Sequence, residues 1–334
     1  MRDRERRSPL PPFIEPQLAL LVDRVPPGDD WLHELKYDGY RILARVERGG
    51  ARLMSRNRND WTLRFQEVAQ AVAALPLRSA WLDGEIAVVL RDGTTSFAAL
   101  QNAGSLPTGA ALAYFLFDVL HLDGRDLRAL PLEERKRALR SLVGRGGEPV
   151  RYGEHVLGSG AEFFRAACGR GLEGIVSKRR DGPHRAGRGR DWVKVKCVRA
   201  QEFVIGGFTE PQGSRLGIGA LLLGTHGAGA SLDYAGKVGT GFTASTAQAL
   251  RRRLEPLERE ASPFASNPGV PRTAHWVEPR LVAQVRFTEW TRDGRLRHPS
   301  FEGLREDKEP TEVRREQAEP TTHERMPGRR RRGR

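Results

Sequence analysis

The segment Lys36-Tyr37-Asp38-Gly39-Tyr40-Arg41 carries a primary amine beside an Asp-Gly pair. A lysine amine is a good nucleophile toward phosphorus when it is held neutral, next to other cations or a bound metal. Further charged groups follow in order: Glu85 in Leu82-Asp83-Gly84-Glu85, Glu173 in Glu173-Gly174-Ile175-Val176-Ser177-Lys178, then Lys194 and Lys196 in Trp192-Val193-Lys194-Val195-Lys196. Glu85 and Glu173 are hard oxygen ligands suited to a divalent cation. Lys194 and Lys196 are two apart, so on a strand both ammonium groups share one face. There they can contact phosphate oxygens as charge builds during a transfer. Phe117 in Tyr114-Phe115-Leu116-Phe117-Asp118 offers a ring for a purine, and Arg56 in Ser55-Arg56-Asn57 offers a phosphate contact. Singly these residues are ordinary. An acid is usually a solvated strand end, a phenylalanine is usually core, and Lys-x-Asp-Gly alone reads as a surface hairpin in a chain with 56 Lys and Arg. The ordered set points to nucleotidyl transfer.

The elements that must hold these residues can be read coarsely. Strand-like runs cover 31–45, 81–90 and 111–122, with Asp92-Gly93 and Asp123-Gly124 as turns. Residues 62–75 place Phe65, Val68, Ala69, Val72 and Ala73 at helical spacing. Residues 132–143 and 162–170 also read as helices, and 175–176 and 192–198 as short strands. From Glu202 the character changes. Runs at 203–208, 219–223, 231–238 and 282–290 are short strands between Gly-rich turns, with one helix at 244–257, which suits a small β-barrel such as an OB-fold. The expected organisation is an extended basic lead-in over 1–15, a first domain over 16–198, an OB-fold over 199–310, and a disordered Arg-rich tail over 311–334.

At 334 residues the chain fits two domains. No run of 18 apolar residues occurs, so no helical membrane span is expected. Residues 1–8 lack the apolar stretch of a secretory signal, which points to the cytoplasm. Cys168 and Cys197 are too few for a disulfide framework or a four-cysteine zinc site, and read as reduced, buried thiols. The net charge is +14, of which residues 325–334 carry +6 and residues 1–8 carry +2. The body is therefore basic by itself, and a polyanion, nucleic acid first, is the natural partner. The Arg-rich end would steepen the salt dependence of DNA binding if it touches phosphates.

The ordered motifs resemble the covalent nucleotidyltransferases, the superfamily of ATP-dependent DNA ligases, RNA ligases and mRNA-capping enzymes. Arg297-His-Pro-Ser-Phe-Glu-Gly-Leu-Arg-Glu-Asp-Lys308 is similar to the final motif of ATP-dependent DNA ligases. Residues 203–208 and 235–242 look like bacterial end-joining ligases of the ligase D type. The resemblance covers roughly residues 16–310. It implies an α+β fold: an adenylation domain of antiparallel sheets with flanking helices, followed by an OB-fold. Lys36 would accept AMP. Glu34, Arg41, Arg56, Glu85, Phe117, Lys194 and Lys196 would bind the nucleotide, with Glu85 at the ribose, Phe117 on adenine and the two lysines at the α-phosphate. Glu173 and Glu85 would hold Mg²⁺ or Mn²⁺. Arg305, Asp307 and Lys308 would orient pyrophosphate, and Arg56 and Arg188 would touch DNA.

The implied activity is ATP-dependent sealing of 5′-phosphate/3′-hydroxyl breaks in nicked or broken duplex DNA, in repair by non-homologous end joining. A Ku-type end-binding protein and a separate repair polymerase would be partners. An RNA ligase or GTP-using capping-type enzyme, and a catalytically idle DNA-binding protein, are the alternatives. His184 stands where the pattern has a tyrosine, and no long helical DNA-clamping domain precedes Lys36.

Overall fold

A computed structural model describes residues 8–101, 106–144, 147–211, 213, 216–227, 231–266, 269–270 and 273–321. Strands up to Lys196 form two sheets, and strands from Arg199 onward form a third, larger sheet and a separate pair, Glu289–Trp290 with Leu296–Arg297. The largest core lies against a six-stranded sheet. Its central strands, Ser79–Val89 and Ala111–Leu122, pair with each other, and Tyr40–Glu47 pairs with the free edge of Ser79–Val89. Ala111–Leu122 is apolar on both faces because the helix Leu132–Val143 covers one side. Burial of a side chain such as Tyr114 or Leu116 there contributes about 1.5–3 kcal/mol.

Arg135 ties that helix down. Its Nε and a terminal nitrogen donate to the two oxygens of Asp118 at 2.8 and 2.9 Å, with both side chains fully buried. Losing either partner would strand a charge in the interior. The contact also fixes the register of the strand that carries Phe117.

The five-stranded sheet has the order Gln17–Leu21, Gly187–Lys196, Gly174–Arg179, Trp31–Leu35, His155–Leu157. Only the first pair is parallel. This sheet brings the ends of three distant motifs side by side. The third sheet is seven-stranded, with Arg199–Thr209 paired to Ala220–His226, His275–Val277 and Val282–Phe287. It closes around Phe203, Ile205, Phe208 and Leu250. The helix Ala244–Leu254 starts at Thr243, whose hydroxyl accepts from the backbone of Thr246 at 3.1 Å. No helix among the described residues is long and apolar enough to cross a membrane.

Three expectations need correction. The helix expected over 62–75 spans only Gln66–Ala73. Asp60 accepts from the backbone N–H and hydroxyl of Thr62 in a turn, so the apolar periodicity takes hold only at Phe65. Cys168 and Cys197 are not free thiols; they form a disulfide, with α-carbons 5.2 Å apart. The helix Gly160–Gly169 packs against the strand Gly174–Arg179, and the Cys197 N–H donates to the carbonyl of Glu173, just before that strand, at 2.9 Å. Nothing in the sequence places those segments together. Residues 311–321 are also not a free tail. Val313 is buried, and Glu319 pairs with Leu21, Val22 and Asp23 of the first domain. The remainder of that segment, 322–334, lies outside the described residues, as do residues 1–7 of the basic lead-in.

Candidate active site

Lys36 directly follows the strand Trp31–Leu35, and its backbone N–H donates to the Gly174 carbonyl at 3.0 Å. Glycine is required on both sides of this contact. A β-carbon on Gly174, at φ +150°, would strike the Val195 carbonyl, and one on Gly39 would strike the Ile86 carbonyl. These close approaches bring the Lys36, Glu85, Glu173 and Lys194–Lys196 segments around one cleft.

Every residue given a site role from the sequence lines that cleft. Glu34 and Lys36 come from one strand end, Arg41, Arg56, Glu85 and Phe117 from the six-stranded sheet or its ends, and Glu173, Arg188, Lys194 and Lys196 from the five-stranded sheet or its ends. Arg305, Asp307 and Lys308 close it from the second domain. His184 is not in the lining; its Nε2 faces the Glu15 carbonyl at 2.9 Å.

The Lys36 ammonium donates to Glu173 Oε2 at 2.6 Å. Burial pulls the amine down, but Glu173, then Glu85 and Asp38, outweigh it and push it up to about 12. Glu85 goes the opposite way for a carboxyl. Its burial raises it to about 7 against the pull of Lys36 and Arg41. Arg41 is held by Asp83 through two contacts of 2.6 Å, and its guanidinium lies 4.8 Å from the Phe117 ring centre. Burial and the neighbouring Lys196 bring Lys194 down to about 8, against the opposing pull of Glu316.

Among the described residues no cluster of three or more acids, histidines or cysteines could hold a metal ion. Glu85 and Glu173 are hard donors in the cleft, whose lining also includes Glu34, Asp38, Glu202 and Asp307. That fits Mg²⁺, which takes one or two protein carboxylates and completes its shell with water and substrate phosphate.

The partners of one expected residue, Glu34, and a further cleft acid, Glu202, escape sequence reasoning. Glu34 is 2% exposed, and each of its oxygens accepts from a lysine, Lys136 at 2.5 Å and Lys178 at 2.6 Å. Lys136 carries a signal that could have been used, because it falls on the buried stripe of its helix between Leu132 and Leu139. Glu202 also enters the cleft, 3.2 Å from the Lys308 ammonium, and no local pattern marks it.

The second domain docks on the first through its last strand. The Gln101 amide bonds both backbone groups of Leu304, at 2.6 and 3.0 Å, and the Arg305 guanidinium lies 4.7 Å from the Phe97 ring centre. Lysine chemistry between two such lobes, with cations on facing walls, defines a two-domain nucleotidyltransferase.

Comparison with known proteins narrows that class. Residues 16–196 match the ATP dependent DNA ligase domain, and residues 214–308 match the ATP dependent DNA ligase C terminal region. A solved structure of mycobacterial DNA ligase D complexed with ATP and MES superposes with a TM-score of 0.66 at 35% identity, over 90% of this chain and 98% of that one. The chain belongs to the ATP-dependent DNA ligases. The multifunctional non-homologous end joining protein LigD of Pseudomonas aeruginosa is 44% identical over 312 residues, covering 92% of this chain and 37% of that protein. LigD of Mycobacterium tuberculosis is 39% identical over 297 residues, 86% of this chain and 38% of that protein. The chain thus spans well under half the length of these relatives.

Proposed function

We propose that this chain seals 5′-phosphate/3′-hydroxyl breaks in duplex DNA through a lysyl-AMP intermediate, in the joining of broken ends. The observation that carries the reading is that Lys36 lines one cleft together with Lys194 and Lys196 and with Arg305 and Lys308 of the second domain. In the first step the Lys36 amine attacks the ATP α-phosphate and pyrophosphate leaves. AMP then passes to a DNA 5′-phosphate, and a 3′-hydroxyl attacks that phosphate and releases AMP. Lys194 and Lys196 receive the charge that builds on the α-phosphate oxygens, and Arg305, Asp307 and Lys308 orient the departing pyrophosphate. Glu85 and Glu173 would hold Mg²⁺ or Mn²⁺, which supplies further charge neutralisation at phosphorus when bound. Glu34 and Phe117 receive the base, and Arg41 the sugar or phosphate.

DNA contacts fall to Arg56 and Arg188 at the cleft mouth. Duplex DNA needs the face that the second domain covers, so the second domain swings away about residues 197–201 between steps. The relatives' names place them in end joining, and a Ku-type end-binding protein and a separate repair polymerase are the partners proposed with that role. The bacterial cytoplasm is the proposed location.

The test is incubation with α-labelled ATP and Mg²⁺ or Mn²⁺ after stripping with pyrophosphate, with GTP and NAD as alternative donors. Acid-labile label from ATP, absent in Lys36→Ala, together with sealing of nicked duplex DNA, supports the reading. No label, or label from GTP, overturns it.

A further inference from the structure

Four cations on or near the cleft walls, Lys194, Lys196, Arg56 and Arg190, have anionic partners in one short segment. Glu316 bridges the two strand lysines, with Oε1 2.7 Å from Lys194 and Oε2 2.6 Å from Lys196. Glu312 pairs with Arg56, and Glu319 lies 2.6 Å from Arg190. The segment is pinned along its length. Val313 accepts from the His226 N–H at 2.8 Å, and the Glu316 N–H donates to the Gln201 side chain at 3.0 Å. The Thr321 backbone and hydroxyl each reach Asp23 at 3.0 Å. Lys194 and Lys196 hold the Glu316 carboxyl down near 2, against its burial, so it stays charged at any working pH.

The cleft that Lys194 and Lys196 line is small. Its free volume is about 190 Å³, below the roughly 300–1,000 Å³ usual for small-molecule sites. A groove of about 820 Å³, walled by Glu312 and Glu316, adjoins it and shares Arg56, Lys194 and Lys308 with it.

We infer that residues 312–319 form an acidic strap that occupies the phosphate-binding cations as an internal competitor and must lift before a polyphosphate engages Lys194 and Lys196. The inference rests on the assignment of those lysines to phosphate. A carboxylate held by two cations imitates two oxygens of a phosphate, and Glu312 repeats the contact at Arg56, on the wall that the groove and the cleft share. Ligand affinity falls by the fraction of time the site is free. A strap seated nine-tenths of the time weakens binding about tenfold.

The experiment is equilibrium binding of inorganic pyrophosphate to the full chain by calorimetry, after any bound AMP is stripped. It needs no adenylylation, so its outcome is separate from the labelling test of the proposed activity. Glu316→Gln removes the competing charge. Thr321→Val loosens the strap without touching a cation, and it decides the question if the first variant does not fold. Glu289→Gln removes a distant surface carboxylate that pairs with Arg297 and controls for net charge. Binding several-fold tighter in Glu316→Gln and Thr321→Val, and unchanged in Glu289→Gln, is expected. Equal or weaker binding in a folded Glu316→Gln protein overturns the inference.

Discussion

Lys36 and Glu173 form an ion pair of 2.6 Å between residues 137 positions apart, on neighbouring strand ends of one sheet. The side chains are 23% and 11% exposed, so the pair is shielded but reachable. The glutamate aims the amine into the cleft and is a hard oxygen donor beside it. Glu173→Gln keeps the shape and removes the charge. Single-turnover transfer from labelled ATP should fall by about 100-fold or more. Transfer at the wild-type rate would show that the pair has no part in the chemistry.

The Glu34 carboxylate is buried at the cleft and held by Lys136 and Lys178. Lys136 also donates to the Gly153 carbonyl at 3.0 Å, so it links helix, loop and carboxylate. Lys136→Met leaves Glu34 buried with one cation. Removing one partner of such a pair costs roughly 3–5 kcal/mol. Urea unfolding should show that loss, and the KM for ATP should rise as Glu34 loses its fixed position. A variant as stable as the wild type would mean that water replaces the lysine.

Lys178 has an unusual linkage to pH. Burial lowers it to about 8, despite the pull of Glu34. Its folded value is therefore below its unfolded value of 10.5. The stability it contributes is full above the unfolded value and is lost as pH falls through the folded value. Between about pH 8 and 10.5 the wild type should gain on Lys178→Met, by on the order of 2–3 kcal/mol in all. Urea midpoints of both proteins at pH 7, 8, 9 and 10 give the difference. A difference that stays flat across that range would refute the linkage.

The chemistry was legible because it sits in short motifs whose spacing survives any fold. Lys194 and Lys196 share a strand face as their spacing requires, and the central strand over 111–122 has the bounds its apolar run gives. What was not legible depends on contacts across long sequence distances. Lys136 joins Glu34 across 102 positions and Glu316 joins Lys196 across 120. The segment after Pro310 reads as polar and uncommitted, since the burial of Val313 and the pairing of three glutamates exist only once both domains are in place. The short helix Phe97–Gln101, which docks the second domain, was missed because five residues carry too little periodicity.

The disulfide gives a prediction that sequence reasoning alone would have reversed. Cys168 and Cys197 are 29 positions apart, and the loop they close contains Glu173, the strand Gly174–Arg179, Lys194 and Lys196. Cross-linking a loop of that length restricts the unfolded chain and stabilises the fold by about 3–4 kcal/mol in the chain-entropy account. The oxidised protein should therefore unfold at a clearly higher urea concentration than the same protein in reductant, and Cys168→Ser/Cys197→Ser should match the reduced form under both conditions. Because both lysines are also held by strand pairing, the reduced protein should keep its adenylylation at temperatures well below its melting point. Thiol titration of the unfolded, unreduced protein decides the premise: no reactive thiol fits the cross-link, and two would show that the cysteines are merely neighbours.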